Sequence, residues 1–158
     1  MSAPASSPIA PLLQSVSAAA QKADVFGSVA LRHGMLVCEA RDAAAPAEYR
    51  VFEDAGAVWV GLFTADRWLS QSIEQDLVHT GDKLEELMEE ELADQGEPKP
   101  ASALKFEHFR DDDRVFTFRV RTGLAGSEPG GADRATRWLL ACEAMFARLG
   151  DMQGGDED

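Results

Sequence analysis

Apolar residues recur at helical spacing near both ends of the chain. The first such repeat comprises Ile9, Leu12, Leu13 and Val16. Spacings of three and four residues place these side chains on one face of a helix, which we predict over residues 8–22 with Ser7 as its N-cap. The second repeat comprises Trp138, Leu139, Cys142, Met145, Phe146 and Leu149. It predicts a last helix over residues 132–149, capped by Asp133 and ended by Gly150.

Between these two helices, most of the chain alternates apolar and polar positions, as β-strands do. Strand-like runs occupy residues 25–31, 35–40, 49–52, 57–63, 104–109 and 115–120. Short polar or Gly-containing turns separate them in pairs, and the pair around residues 110–114 is the most regular hairpin in the chain. The run 57–63 is apolar on both faces, which predicts a central strand that lies under a helix.

The segment 64–95 departs from the strand pattern. Its second half predicts an amphipathic helix with a capping box from Asp82 to Glu85. The apolar stripe of that helix is Leu84, Leu87, Met88 and Leu92. Its first half, residues 67–79, fits a helix that ends at Gly81 and also fits a strand paired with 57–63, and we favour the helix.

These elements predict an α+β fold: an antiparallel twisted sheet of about five to six strands with helices packed on it, in the order α-β-β-β-α-β-β-α. We predict a single domain over residues 8–150, long enough to bury a sizeable core. The Ala-, Ser- and Pro-rich residues 1–7 and the acidic, Gly-rich residues 151–158 predict disordered tails.

The net charge of −13 and the pI near 4.5 argue against nucleic acid and anionic membranes as partners, because both attract clustered Lys and Arg. Residues 66–97 alone hold eleven carboxylates against Arg67 and Lys83, a net charge of −9. Solvation is the simplest role of this charge, and a basic protein partner is the alternative.

The N-terminal residues carry no positive charge before Lys22, unlike a secretory signal. Cys38 and Cys142 lie in apolar contexts, which favours buried free thiols over a disulfide between them. We therefore expect a cytoplasmic protein.

The sequence signals for catalytic and metal-binding groups are weak. His79, Asp82 and Glu86 would share a face only on one continuous helix, which Gly81 interrupts, and a metal needs further ligands. Ser70 and Ser72 lie near His79 without a nucleophile-elbow motif. The Gly-rich segment 126–134 lacks the Lys of a phosphate-binding loop, and His33 and His108 fit a turn and a sheet position. We predict no catalytic residue, no metal and no cofactor.

The order of elements, the small size and the acidity resemble the type III secretion chaperones and the YbjN-type proteins, over about residues 8–149. This resemblance implies a cytoplasmic homodimer that holds a partner segment on an apolar surface. Trp68, beside Arg67, is a candidate recognition anchor, although burial in the core is the more frequent fate of a tryptophan.

We thus predict a non-enzymatic, chaperone-like or regulatory protein-binding module. Its partner would be basic or carry an exposed apolar segment, and the contact residues would be Trp68, Glu86, Leu87 and Glu90. The alternative is a small metal-dependent or hydrolytic enzyme that uses His79 and nearby carboxylates.

Overall fold

The computed structural model describes residues 9–41, 43–98, 103–124 and 130–153. The elements are α1 (Ala10–Ala23), β1 (Phe26–Arg32), β2 (Met35–Ala40), β3 (Glu48–Asp54), β4 (Ala57–Thr64), α2 (Arg67–Thr80), α3 (Leu84–Asp94), β5 (Phe106–Arg110), β6 (Phe116–Arg121), α4 (Gly131–Phe146) and a 3₁₀ helix (Gly150–Gln153). The predicted α+β class is confirmed. The order differs in two places, because four strands precede the acidic segment and that segment forms two helices.

The six described strands lie in the order β1-β2-β3-β4-β6-β5, and all neighbours are antiparallel. Two-residue turns close β1–β2 at His33-Gly34 and β3–β4 at Ala55-Gly56, where all four residues have positive φ, between 52° and 78°. Positive φ at both central positions defines the type I′ turn, whose twist matches that of the flanking strands. The turns that the sequence indicated at both sites are confirmed.

The main core lies between the sheet and the helices. α1 packs on β1, β2 and α4, while α4 packs on β3 and β4, and α2 reaches β4. On β4 the residues Val58, Val60 and Leu62 are buried in this core. The central position predicted for this strand is confirmed, since β4 pairs with β3 and with β6.

A second, smaller cluster lies on the other side of the sheet and consists of Phe52, Trp59 and Phe63. Arginine side chains cover these rings, with the guanidinium carbon of Arg50 4.3 Å from the Phe63 ring centre and that of Arg119 4.1 Å from Trp59. The alkyl stem of an arginine shields apolar surface while its charged end stays in water. The prediction of a strand buried on both faces is therefore confirmed, with arginines in place of a helix on the second face.

Residues 67–79 are helical, as favoured from the sequence. Asp66 is the N-cap of α2, and its Oδ1 accepts a hydrogen bond from the Leu69 N–H at 2.7 Å. Gly81 ends the helix with φ 79°, and its N–H donates to the Leu77 carbonyl at 2.9 Å. A left-handed glycine at this position satisfies a carbonyl that the helix leaves unpaired.

The predicted side-chain caps of the other helices are wrong. Lys83, rather than Asp82, is the N-cap of α3, and no side chain caps it. The Glu85 carboxylate instead accepts a hydrogen bond from the Phe106 N–H on β5 at 2.8 Å, so a tertiary partner replaces the local one. Gly130, rather than Asp133, precedes α4. Ser7 lies outside the described residues, and α1 begins after Ile9 without a side-chain cap.

The predicted C-terminal tail begins too early. The 3₁₀ helix packs on α2, Met152 is buried, and the Gly150 N–H donates to Oδ2 of Asp76 at 2.9 Å. Burial of an apolar side chain gives residues 150–153 a fixed place. The remaining tail residues 154–158 and the predicted tail 1–7 lie outside the described residues. In the part of the chain that the structure describes, no helix is long and apolar enough to cross a membrane.

Candidate functional site

The most exposed aromatic residue of the described chain lies in the first turn of α2. Leu69, Ser70 and Ile73 are buried beneath the helix, and this fixes which of its faces meets solvent. Trp68 projects from the opposite side with 75% of its surface exposed. Tryptophan is usually largely buried, and burial was the more frequent outcome expected for Trp68, but the structure places it on the surface.

Trp68 begins a stripe along α2 that also contains the exposed Gln75 and Val78 and the half-buried Gln71. Successive residues of a helix are rotated by about 100°, which brings Gln71, Gln75 and Val78 within about 80° of Trp68 around the helix axis. Val78 is 83% exposed, and Gln75 is exposed as well. We call these four residues the α2 stripe. It is uncharged, although it lies in the most acidic part of the chain.

The predicted contact residues on α3 divide into two kinds. Glu86 and Glu90 are exposed, whereas Leu87 is partly buried and packs against the main core. Leu87 therefore serves the packing of α3 first, and a charged substitution there would test folding as much as binding.

Trp68 and the α3 residues lie on separate helices with different supports. α2 packs on β4 and on the 3₁₀ helix, whereas α3 packs on α4. Trp68 lies about 20 Å along α2 from the turn at Gly81 that joins the two helices, given a rise of 1.5 Å per residue. The four predicted residues do not form one compact site. Trp68 lies at the N-terminal end of α2, and the carboxylates of α3 follow the C-terminal end of α2 in the chain.

α2 is held on the sheet by a contact that the sequence analysis missed. His108 on β5 pairs through Nε2 with the Glu74 carboxylate, and its Nδ1 lies 2.9 Å from the Thr117 carbonyl oxygen. Its ring stacks on Phe118 at a centroid distance of 3.8 Å. The partners His108 and Glu74 are 34 residues apart, and no local pattern indicates such a pair. This contact joins α2 to the edge strand β5, while the buried residues Leu69, Ser70 and Ile73 set the direction of the α2 stripe.

α3 is held by a buried carboxylate that the sequence analysis also missed. Glu97 accepts hydrogen bonds from Nε of Arg134 at 2.8 Å and from Nε of Arg137 at 2.7 Å. Burial by itself would raise the pKa of Glu97, but the hydrogen bonds and charges of the two arginines outweigh it and hold this pKa below its usual value. The carboxylate stays ionised and fastens the end of α3 to α4.

The structure does not assemble the candidate catalytic groups. His79 is exposed near the end of α2, and the turn at Gly81 separates it from Asp82 and Glu86, which are exposed too. Among residues 9–41, 43–98, 103–124 and 130–153, no three His, Cys, Asp or Glu side chains are placed to hold one metal ion. Ser70 is buried, and Ser72 donates to the Leu69 carbonyl at 2.7 Å.

Both cysteines are buried free thiols, as favoured from the sequence. Burial, with a smaller contribution from the charge of Glu48, raises the pKa of Cys38 to about 12. Burial likewise raises the pKa of Cys142. Thiols of this kind are poor nucleophiles, because the thiolate is the reactive form.

A cavity of about 280 Å³ opens on the arginine-covered side of the sheet. Its polar lining includes Arg32, Glu39, Glu48 and Arg50, and Phe63 lines it as well. Arg50 already binds Glu48, with Nε 2.7 Å from Oε1. A ligand in this cavity would have to compete with an existing ion pair for that guanidinium.

Comparisons with known proteins identify no relative from which a function could be assigned. No protein-family model matches the chain, no curated protein matches it, and no solved structure matches it.

Proposed function

We propose that this chain is a non-enzymatic protein-binding module with a chaperone-like or regulatory role in the cytoplasm, and that the α2 stripe is its contact surface. The exposure of Trp68 carries the proposal. A solvated indole is costly, and tryptophan is enriched among the residues that dominate the binding energy of interfaces. The resemblance to type III secretion chaperones, which bind protein partners, points in the same direction.

The surface favours a partner of defined chemistry. Trp68 and Val78, at i and i+10 of one helix, are exposed apolar anchors suited to a groove that receives a helix face. The carboxylates of α3, Glu86 and Glu90 among them, follow the C-terminal end of this stripe. We therefore infer a partner with an apolar groove and a basic rim on one side. Opposite charge at the rim accelerates association and adds salt dependence.

The experiment places a photo-crosslinking amino acid at position 68 or, as a control, at the exposed position 55 in the turn between β3 and β4, at the opposite end of β4 from α2. Crosslinking in the source cells should capture a protein from position 68 alone. That protein, once purified, should bind the wild-type chain, and Trp68→Ala should weaken binding by about tenfold or more, as expected for a central aromatic anchor. Circular dichroism and thermal unfolding of Trp68→Ala would establish that the fold is intact.

A matched pair of charge variants tests the rim. Glu86→Gln with Glu90→Gln should slow association, whereas Asp112→Asn with Asp113→Asn removes the same charge from the end of β5 opposite to the Phe106 N–H that α3 contacts, and should affect association less. Identical crosslinks from positions 68 and 55, or an affinity indifferent to Trp68→Ala, would contradict the proposal. Turnover of a substrate lost on His79→Ala would instead favour the enzyme alternative.

A further inference from the structure

β1 is an edge strand of the sheet. Residues 27–31 contain no charged residue and no proline, and Leu31 is 48% exposed. Sheets usually protect an edge with charges, prolines, bulges or a covering segment, because unpaired backbone groups there can pair with another strand. The bulge of β1 lies between Phe26 and Ser28 and leaves residues 28–32 regular. This stretch has the properties of a docking edge.

The turn of the β1–β2 hairpin determines which backbone groups face outward. A two-residue type I′ turn closes on a hydrogen-bonded pair, which here is Arg32 with Met35. Hydrogen-bonded and non-hydrogen-bonded pairs alternate along an antiparallel ladder. The N–H and C=O groups of Ala30 and Ser28 therefore point toward β2, and those of Val29 and Leu31 point to the free edge.

We propose that a second copy of this chain pairs antiparallel with β1, with Ala30 on the twofold axis, to form one continuous sheet across both copies. In this register Val29 of each copy lies opposite Leu31 of the other, so the outward groups of both residues are hydrogen-bonded. The same register brings the exposed side of Leu31 against Val29, which is partly buried on the helix side of the sheet. The edge is thus self-complementary, as a twofold interface requires.

The charges on the opposite side of the sheet support this register. Ser28, Ala30 and Arg32 share that side, and Ser28 pairs within the chain with Glu39 of β2. With Ala30 on the axis, Arg32 of one copy lies opposite Ser28 of the other, one strand away from Glu39 of that other copy. Serine is short enough for the arginine to reach across it. Two symmetric ion pairs between Arg32 and Glu39 follow.

The orientation of Glu39 fits this role. A Cβ at Gly27 would lie only 3.1 Å from Oε1 of Glu39, so the carboxylate lies beside β1 over a residue without a side chain. Gly27 and Ser28 together leave its path to the edge open. Across residues 9–41, 43–98, 103–124 and 130–153, neither Arg32 nor Glu39 takes part in an ion pair. Each is available to a second copy.

The charge of −13 per chain opposes self-association in general, but the excess negative charge is not concentrated at the β1 edge. The acidic helices contact the opposite edge of the sheet, where Glu74 pairs with His108 and Glu85 binds the Phe106 N–H. Repulsion between the α2–α3 segments of two copies acts over the width of both sheets. Charges separated by more than about 10 Å are largely screened at moderate salt.

Light scattering at several concentrations, up to about 100 μM, tests the proposal. The wild-type chain should approach twice its mass of 17.1 kDa. Arg32→Glu and Glu39→Arg should each raise the dimer dissociation constant by about tenfold or more, since each places like charges together twice. The double variant, which exchanges the two charges, should restore the dimer, an outcome that general damage to the fold would not produce.

Ala30→Lys provides a second disruption, because it places two ammonium groups on the axis while the backbone bonds to β2 remain. Hydrogen exchange of the Val29 and Leu31 amides should slow as the concentration rises. A monomer at all concentrations would overturn the proposal, and so would a dimer indifferent to Ala30→Lys and to both charge reversals. The proposed dimer contact does not involve Trp68, so Trp68→Ala should leave the dimer intact. Loss of partner binding and loss of the dimer can therefore be measured separately.

Discussion

Arg137 donates a hydrogen bond from Nε to Oε1 of Glu97 at 2.7 Å, and the accepting side chain is fully buried. Arg134 donates to the second carboxylate oxygen. The Glu97 N–H itself donates to the Leu92 carbonyl at 2.9 Å. Glu97 therefore closes the C-terminal end of α3 and joins this helix to α4. It is the best-defined residue at which to test how α3 is held on the fold.

Glu97→Gln should lower the free energy of unfolding by about 2 kcal/mol. Removal of one partner of a buried ion pair leaves the other charges uncompensated, and the partial exposure of both arginines moderates the cost. Urea unfolding gives the value. Glu86→Gln, which neutralises an exposed carboxylate on α3, is the control and should change the free energy of unfolding by less than about 0.5 kcal/mol. Equal effects of the two variants would refute the structural role of Glu97.

The same residue predicts a pH dependence. Because the pKa of Glu97 is lower in the folded chain than its ordinary value, its contribution is complete above the ordinary glutamate pKa. It is lost as the pH falls through that value toward the folded pKa. Wild type and Glu97→Gln should therefore differ in stability at neutral pH and converge in acid, in unfolding curves measured between about pH 7 and pH 3. A constant difference over this range would count against the ionised carboxylate.

Glu143 on α4 should behave in the opposite way. Burial, and then the charge of Glu91, raise its pKa, and Arg41 only partly offsets them. A raised carboxyl pKa means that ionisation at neutral pH costs stability, and the cost disappears below the unfolded pKa. Glu143→Gln should thus stabilise the chain by about 0.5 kcal/mol at pH 7 and have no effect in acid. Destabilisation at pH 7 would show that Glu143 makes a favourable contact.

Gly61→Ala should destabilise the sheet by about 2–3 kcal/mol through overpacking. An added Cβ would lie 2.5 Å from the Phe118 carbonyl oxygen and 2.9 Å from Cα of Arg119, and backbone atoms of a paired strand cannot move aside. Gly56→Ala is a useful comparison, because its Cβ meets nothing within 4 Å and only the left-handed backbone costs about 1 kcal/mol. If Gly61→Ala were the milder of the two in thermal unfolding, close approach of β4 and β6 would be excluded.

The thiols should be unreactive in the folded chain. Burial raises the pKa of both Cys38 and Cys142, so a thiol-specific reagent at pH 8 should modify them about a hundredfold more slowly than in urea. Single variants, Cys38→Ser and Cys142→Ser, assign each rate. Rapid modification of the native chain would reveal an opening of the core that the structure does not contain.

Local signals account for much of the fold. The turns at His33-Gly34 and Ala55-Gly56 were indicated by residue type, and alternation located the strands on either side. Gly81 was recognised as the end of α2. Such features depend on interactions between residues close in the chain, and the pattern of the sequence is enough to predict them.

The candidate site was predicted less well. Trp68 was selected, but its burial could not be decided, because exposure depends on which face of α2 meets the sheet. Leu87 was assigned both to the apolar stripe of its helix and to partner contact, and in the structure it is partly buried against the core. Glu85 was assigned to a capping box and instead binds the Phe106 N–H, 21 residues away. In each case the outcome depends on tertiary contacts, so only the assembled structure decides it.

The sequence by itself determined the class of fold, the extent of most strands and helices, and the concentration of charge in the α2–α3 segment, since period, turn chemistry and composition are properties of the chain. Only the tertiary structure decided that β6 lies between β4 and β5, that β1 is an edge, that Glu97 is buried between two arginines, and that Trp68 is exposed. Those outcomes depend on contacts between residues far apart in sequence. A linear pattern records which residues are apolar or charged, but not which of them meet.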